Sequence, residues 1–146
     1  MPVPMIANIP TWFEKGAHNA IESYRLQPDG RIATTFTYRE GGFDGEAKAM
    51  HPLGRVLDAR TNAVWGMQFI WPIEADYRIA HVDEGYTVTV VAREKRDYVW
   101  IMARTPSIPE DEYARLVTFV ASQGYDVAKL RRVPQRWPVP VDSTRP

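Results

Sequence analysis

Cysteine is absent from the 146 residues, which excludes disulfides, thiolate zinc sites, thiol nucleophiles and a lipid-modified cysteine within the chain. Long apolar runs are absent too, since none approaches the roughly 18 residues of a membrane-spanning helix. Charge of one sign is also not in excess: 18 basic residues face 18 acidic ones, and a neutral chain carries no field of the kind that recruits nucleic acid. The basic cluster Lys129-Leu-Arg131-Arg132 therefore reads as a solvated edge. The opening MPVPMIANIP lacks the charged segment and long apolar stretch of a signal peptide.

What the chain does have is the composition of one globular domain, with 45% hydrophobic and 25% charged residues. Turn signals recur at short intervals: Gln27-Pro-Asp-Gly30, Glu40-Gly-Gly-Phe-Asp-Gly45, His51-Pro-Leu-Gly54, Trp71-Pro72 and Asp83-Glu-Gly85. Between them lie runs rich in Val, Ile, Thr and aromatics, which suit half-buried strands. From Arg31 to Tyr38, the residues Ile32, Thr34, Phe36 and Tyr38 share one face at period two. From Ala63 to Trp71, the residues Trp65, Met67, Phe69 and Trp71 give a second face of large apolar bulk.

Strands near Val3 to Ile9, from His18 to Leu26, around Glu46 to Arg55, from Asp76 to Val82, from Tyr86 to Ala92 and from Asp97 to Thr105 bring the total to about eight. Hairpin-like spacing without crossover helices predicts an antiparallel meander. One helix follows. Ser107-Ile-Pro-Glu110 has the form of a capping box with Pro109 in the first turn. Tyr113, Leu116, Val117 and Val120 recur at helical spacing, and Gly124 supplies a stop. A short strand near Lys129 to Val133 follows, and the proline-rich tail is expected to be extended or loose. An all-β, eight-stranded up-and-down barrel with the helix packed outside satisfies this pattern, removes exposed strand edges and is wide enough for one small ligand. The barrel and helix are expected over residues 1–135, with a tail over 136–146.

The residues then carry a likeness to a known family. Phe13-Glu-Lys-Gly16, Tyr24-Arg-Leu26, Gly45-Glu-Ala-Lys-Ala49, Tyr77-Arg-Ile79, Asp83, Arg104-Thr-Pro106 and Gly124-Tyr-Asp-Val127 occur in order across roughly Ile6 to Gln135. In this the chain resembles a lipocalin, with its calycin barrel, of the bacterial lipocalin and apolipoprotein D type. The resemblance places Arg96-Asp97-Tyr98 at a signature turn of the barrel's closed end and Arg104 as the arginine ending the last barrel strand. It also implies a G-x-W-Y start to the first strand, but this chain has Met1 and Val3 where the glycine and tryptophan belong. Two readings of that departure stand: the start lies inside the first strand of a longer protein, or the chain is a variant whose Arg104 finds another partner.

On the barrel reading, function lies in the lumen. Strand parity turns Glu22, Tyr24 and Leu26 inward together, as it does Ile32, Thr34 and Phe36, then Trp65, Met67 and Phe69, and then Val88 and Val90. Tyr77 and Trp100 complete the candidate lining, while Arg25 and Arg78 fall on the opposite, solvated parity. The alternative is that these residues simply fill the barrel or pack under the helix, and a single bulge reverses any parity assignment. An inward Glu22 repels a fatty-acid carboxylate unless it is protonated or paired, and attracts an amine such as choline.

Catalytic signals are weak. His18, His51 and His81 lack HxxxH or HxH spacing. Ser23, Ser107 and Ser122 sit in no GxSxG context, and Asp111-Glu112 suits a helix N-terminus better than acid–base work.

The resemblance implies non-covalent binding, for transport or storage, of a small hydrophobic ligand such as a fatty acid or lysophospholipid, with no cofactor. The chain is thus expected not to be an enzyme. The rival function is an enzyme acting on a lipid-like substrate on the same scaffold, and a homodimerising module is a third. The expected partners exclude nucleic acid, and no integral membrane segment is expected. The resemblance implies a cell-envelope location if the start is truncated, and a cytoplasmic one otherwise.

Overall fold

The computed structural model describes residues 2–11, 15–70 and 73–137, with the side chains of residues 69, 70 and 73 outside that description. Nine strands form the barrel wall: β1 (Pro2–Ile9), β2 (Ala17–Leu26), β3 (Ile32–Glu40), β4 (Ala47–Met50), β5 (Leu53–Val56), β6 (Val64–Ile70), β7 (Ile73–Val82), β8 (Val88–Ala92) and β9 (Val99–Ala103). β4 and β5 both pair with β3 and are separated at His51-Pro52, so they act as one interrupted strand. Proline has no amide to donate to a ladder, which accounts for the break. Each strand pairs antiparallel with its neighbour, and β9 closes on β1 through Met5↔Met102 and Ile9↔Val99. The result is the expected closed barrel of eight antiparallel strands.

The barrel has two ends. At the floor lie the start of β1, Leu26, Val82, Arg104 and the turns over 27–31, 57–63 and 83–87; at the mouth lie the connections over 41–46 and 93–98. Arg96-Asp97-Tyr98 and Arg104 therefore sit at opposite ends of β9, which corrects the expectation that both mark the closed end. The turn beside Arg104 is instead 83–87. There Asp83 accepts from the amides of Thr87 and Val88, and the Arg104 amide donates to the Thr87 carbonyl at 2.9 Å.

Helix α1 (Glu110–Ser122) packs outside the barrel. Leu116 and Val120 join Ile6, Ile9, Val88, Val90, Val99 and Ile101 in one apolar cluster. A second cluster fills the lumen and includes Met5, Phe36, Met67, Tyr77, Val91, Trp100 and Met102. β8 and β9 are thus apolar on both faces, one covered by the helix and one facing the lumen.

The capping box does not form. Pro109 occupies the N-cap without a side-chain hydrogen bond, and Glu110 turns away to a two-pronged pair with Arg132 at 2.7 and 2.6 Å. The Arg132 guanidinium also lies 3.9 Å from the Tyr113 ring centre. Gly124 ends the helix with φ +95, a left-handed conformation that side chains with a Cβ adopt at a cost.

A 3-10 turn (Val127–Lys129) leads to β10 (Arg131–Arg132), which pairs with β1 through Ala7↔Arg132. The basic cluster is therefore more than a solvated edge, since Arg131 is half-buried and donates to the Ala17 carbonyl at 2.9 Å. Of the proline-rich tail, residues 134–136 are held in place, while 138–146 lie outside the described residues. Asn19, at a left-handed φ of 50 in the β2 bulge, donates its amide to Pro134 and accepts from the Arg136 amide at 2.7 Å. Gln135 donates to the carbonyls of Met5 and Ala20.

Candidate functional site: a lumen divided by a tyrosine layer

Alternation along β2 and β7 sends Glu22, Tyr24 and Tyr77 into the lumen, where their polar ends meet. The Tyr24 hydroxyl is bonded to the Glu22 carboxylate and to the Tyr77 hydroxyl, and Tyr77 also donates to Glu22 at 3.1 Å. Each hydroxyl has one proton, so the protons of the two tyrosines can serve two of these three contacts at a time. Burial first, and then the Glu22 charge, pushes the Tyr24 phenol well above its ordinary value. Tyr24 is therefore held protonated as a hydrogen-bond donor.

Aromatic packing fixes this layer. The Trp65 ring stacks on Tyr77 with centroids 5.5 Å apart and meets Tyr24 edge-on at 5.9 Å. Tyr77 also touches Trp100, at 5.8 Å. Trp65 is anchored by its indole nitrogen, which donates to the Asn62 carbonyl at 2.8 Å.

The layer separates two cavities. The mouth cavity, of about 200 Å³, is lined by Thr11, Glu22, Phe36, Met67, Ala75, Asp76, Tyr77, Arg93, Tyr98 and Trp100. Of its charged groups, Glu22 is held by the two tyrosines, Asp76 pairs with Arg78 at 3.0 Å, and Arg93 pairs with Asp97 at 2.9 Å. Arg93 also lies 5.4 Å from the Tyr98 ring centre. Tyr125 holds the mouth turn to the helix end by accepting from the Arg93 amide and donating to the Tyr98 carbonyl. The floor cavity, of about 260 Å³, is lined mostly by apolar side chains from Val3, Ile79, Val82, Val91 and Met102, with Tyr24, Trp65 and Tyr77 above and Arg104 at the rim.

Of the residues expected from sequence, Glu22, Phe36, Met67, Tyr77 and Trp100 line the mouth cavity. Tyr24, Trp65, Tyr77 and Val88 line the floor cavity. Val88 does so only while packed in the cluster beneath the helix, as is Val90, so the inward parity on β8 belongs to Val91. Leu26 lines neither cavity: it lies at the end of β2, past the lumen, and is 72% exposed. Thr34 points inward but is buried, its hydroxyl 3.9 Å from the Met67 sulfur. It too lines neither cavity. Phe69 falls outside the described side chains.

Val3, Ile79, Val82, Met102, Arg93 and Tyr98 were not singled out as lining residues. The inward partners of Tyr77 and Trp100 at period two, Ile79 and Met102, were open to the same parity argument. Val82 was not, because a bulge between Ile79 and His81 shifts the register.

Among the described residues, no three His, Cys, Asp or Glu side chains gather as a metal site, and no helix is long and apolar enough to cross a membrane.

The comparisons agree with this architecture. A family model described as a lipocalin-like domain matches residues 5–135. Temperature-induced lipocalin-1 of Arabidopsis thaliana is 29% identical over 147 residues, spanning 97% of this chain and 79% of that protein. The outer membrane lipoprotein Blc of Escherichia coli K12 is 28% identical over 132 residues, spanning 89% of this chain and 73% of that protein. Among solved structures, H1 crustacyanin from the lobster Homarus americanus superposes with a TM-score of 0.73 at 10% identity, over 95% of this chain and 78% of the other. That last likeness concerns the fold alone. With the closed barrel, the external helix and a family model that covers most of its length, the chain belongs to the lipocalin family, whose members bind small hydrophobic ligands.

Proposed function

We propose that the mouth cavity holds the acyl chain of a fatty acid or lysophospholipid, non-covalently, for transport or storage. The observation that carries this reading is the apolar wall of Phe36, Met67, Ala75 and Trp100, closed below by Glu22 and Tyr77 and rimmed by Asp76 and Arg93. Its volume of about 200 Å³ lies below the range of roughly 300–1,000 Å³ for a drug-sized ligand. One chain segment fits while the headgroup stays at the rim. There Arg93 suits a carboxylate or phosphate and Asp76 an amine. About six buried methylenes would contribute roughly 5 kcal/mol.

An envelope location belongs to the same proposal, supported by the relative named as an outer membrane lipoprotein. The test is native mass spectrometry of the protein from its own host, followed by lipid extraction and displacement of a fluorescent fatty acid. A co-purifying lipid that competes with the probe is expected. Recovery of no lipid together with no displacement would overturn the reading.

A second reading, an enzyme acting on a lipid-like substrate, has one observation behind it: Glu22, Tyr24 and Tyr77 converge in the lumen. The upward shift of Tyr24 favours a donor over a base or nucleophile, so binding comes first. Prolonged incubation with a lysophospholipid separates the two, because release of free fatty acid, abolished by Tyr24→Phe, would establish catalysis.

A further inference from the structure

Beneath the tyrosine layer the barrel remains hollow. The floor cavity, at about 260 Å³, is larger than the mouth cavity. It reaches the surface beside the turn over 83–87, where Val82 is 40% and Tyr86 68% exposed. Two features of the chain create it. Among the described residues of the chain's start, only Val3 lines this level, opposite Glu22 in the ladder. The bulge after Ile79 then brings both Ile79 and Val82 onto the lumen, where a regular strand would alternate Val82 to the other face.

The same end collects exposed apolar bulk. Of the five large hydrophobic side chains that are exposed among the described residues, Leu26, Leu57, Val82 and Tyr86 sit on strand ends and turns at the floor. A cluster of this kind marks a binding face more often than scattered single residues do. The strongest charge on the lining is the guanidinium of Arg104, whose Nε donates to the Tyr86 carbonyl. Thr87 and Thr89 also line it, their hydroxyls donating to Asp83 and to the His81 carbonyl, and Asp83 is further engaged by the amides of its own turn.

We propose that this floor chamber is a second binding site, entered from the end opposite the mouth. It takes a medium-chain apolar carboxylic acid whose tail lies among Val3, Ile79, Val82 and Met102 and whose carboxylate meets Arg104. Tyr24, Tyr77 and Trp65 form its roof, so the two chambers fill independently. The chamber corresponds to about nine water volumes at roughly 30 Å³ each, which suits a medium-length chain and excludes a phospholipid.

The test uses decanoate titrated into methyl-labelled protein and read by NMR. Decanoate is expected to move the methyls of Val3, Ile79, Val82 and Met102. Val3→Trp fills the chamber and should weaken that response at least about tenfold, while the mouth methyls of Met67 and Ala75 still respond to palmitate. Arg104→Gln should weaken decanoate roughly two- to fivefold, the range of an exposed ion pair, and leave decanol unchanged.

Shifts confined to Met67 and Ala75, or decanoate affinity unchanged in a folded Val3→Trp protein, would overturn the proposal. If Val3→Trp fails to fold, the methyl map and the decanoate–decanol contrast in Arg104→Gln still decide. Failure of palmitate at the mouth would sink the function proposed above and leave the floor site standing.

Discussion

Tyr77→Phe isolates the polar layer from the packing around it. The ring remains, so its stack on Trp65 at 5.5 Å and its contact with Trp100 at 5.8 Å are retained and no cavity opens. What disappears is one hydroxyl, which donates to Glu22 at 3.1 Å and is bonded to Tyr24. A hydrogen bond to a charged acceptor contributes roughly 1.5–3 kcal/mol. The loss should fall at the lower end, about 1–2 kcal/mol, because Glu22 keeps the Tyr24 proton and is only half-buried. For a domain of this size, that lowers Tm by roughly 2–8 °C.

The assay is urea unfolding with the m-value held as a control, since an altered slope would signal a changed denatured state. A Tyr77→Phe protein as stable as the parent would refute the reasoning. It would mean that water, not Tyr77, satisfies Glu22 in solution.

Three further outcomes are expected. Tyr24 titrates in the folded state well above its ordinary value of 10.0, so its contribution to stability is complete below about pH 10 and is lost as pH rises toward the folded value. Unfolding free energies from urea titrations between about pH 9 and pH 11 should fall by up to roughly 1.4 kcal/mol per pH unit for each such proton. Tyr24→Phe should reduce that slope without abolishing it, because burial also raises Tyr125. Leu116→Ala, at a buried position of the helix face, should cost about 2–4 kcal/mol in chemical denaturation, while fatty-acid displacement at the mouth stays unchanged. Gly124→Ala forces a Cβ onto φ +95 and to within 3.1 Å of the Arg96 side chain, so a loss of about 1 kcal/mol should show as a lower thermal midpoint.

The interior of the site was legible where a strand has one wet face and one dry face. β3 alternates Ile32, Thr34, Phe36 and Tyr38 against more exposed neighbours, and its inward face is unambiguous. Glu22 and Tyr24 follow the same logic on β2. β8 defeats it, because Val88, Val90 and Val91 are all apolar and all buried, two beneath the helix and one in the lumen. Alternation conveys nothing when both faces are dry. Leu26 fails differently, since it keeps inward parity but outruns the barrel it was expected to line.

The capping motif shows a local signal losing to a tertiary one. Ser107 and Glu110 have the spacing of a capping box, but Glu110 finds a two-pronged partner in Arg132, a residue 22 positions away. The spacing describes what the segment offers in isolation. Only the approach of β10 to the helix start determines which partner is present.

The chain by itself determined a meander of about eight strands, the helix and its glycine stop, closure into a barrel and the family. These follow from periodicity, turn chemistry and motif order, all written locally along the chain. The tertiary structure alone decided that the lumen is split in two by Glu22, Tyr24 and Tyr77, and that a hollow floor lies below them. The meeting of residues 22 and 77 depends on ring closure. The floor's shape depends on the bulge after Ile79. A bulge moves one residue out of register and exchanges the faces of everything beyond it, so a period-two pattern cannot place what lies past one.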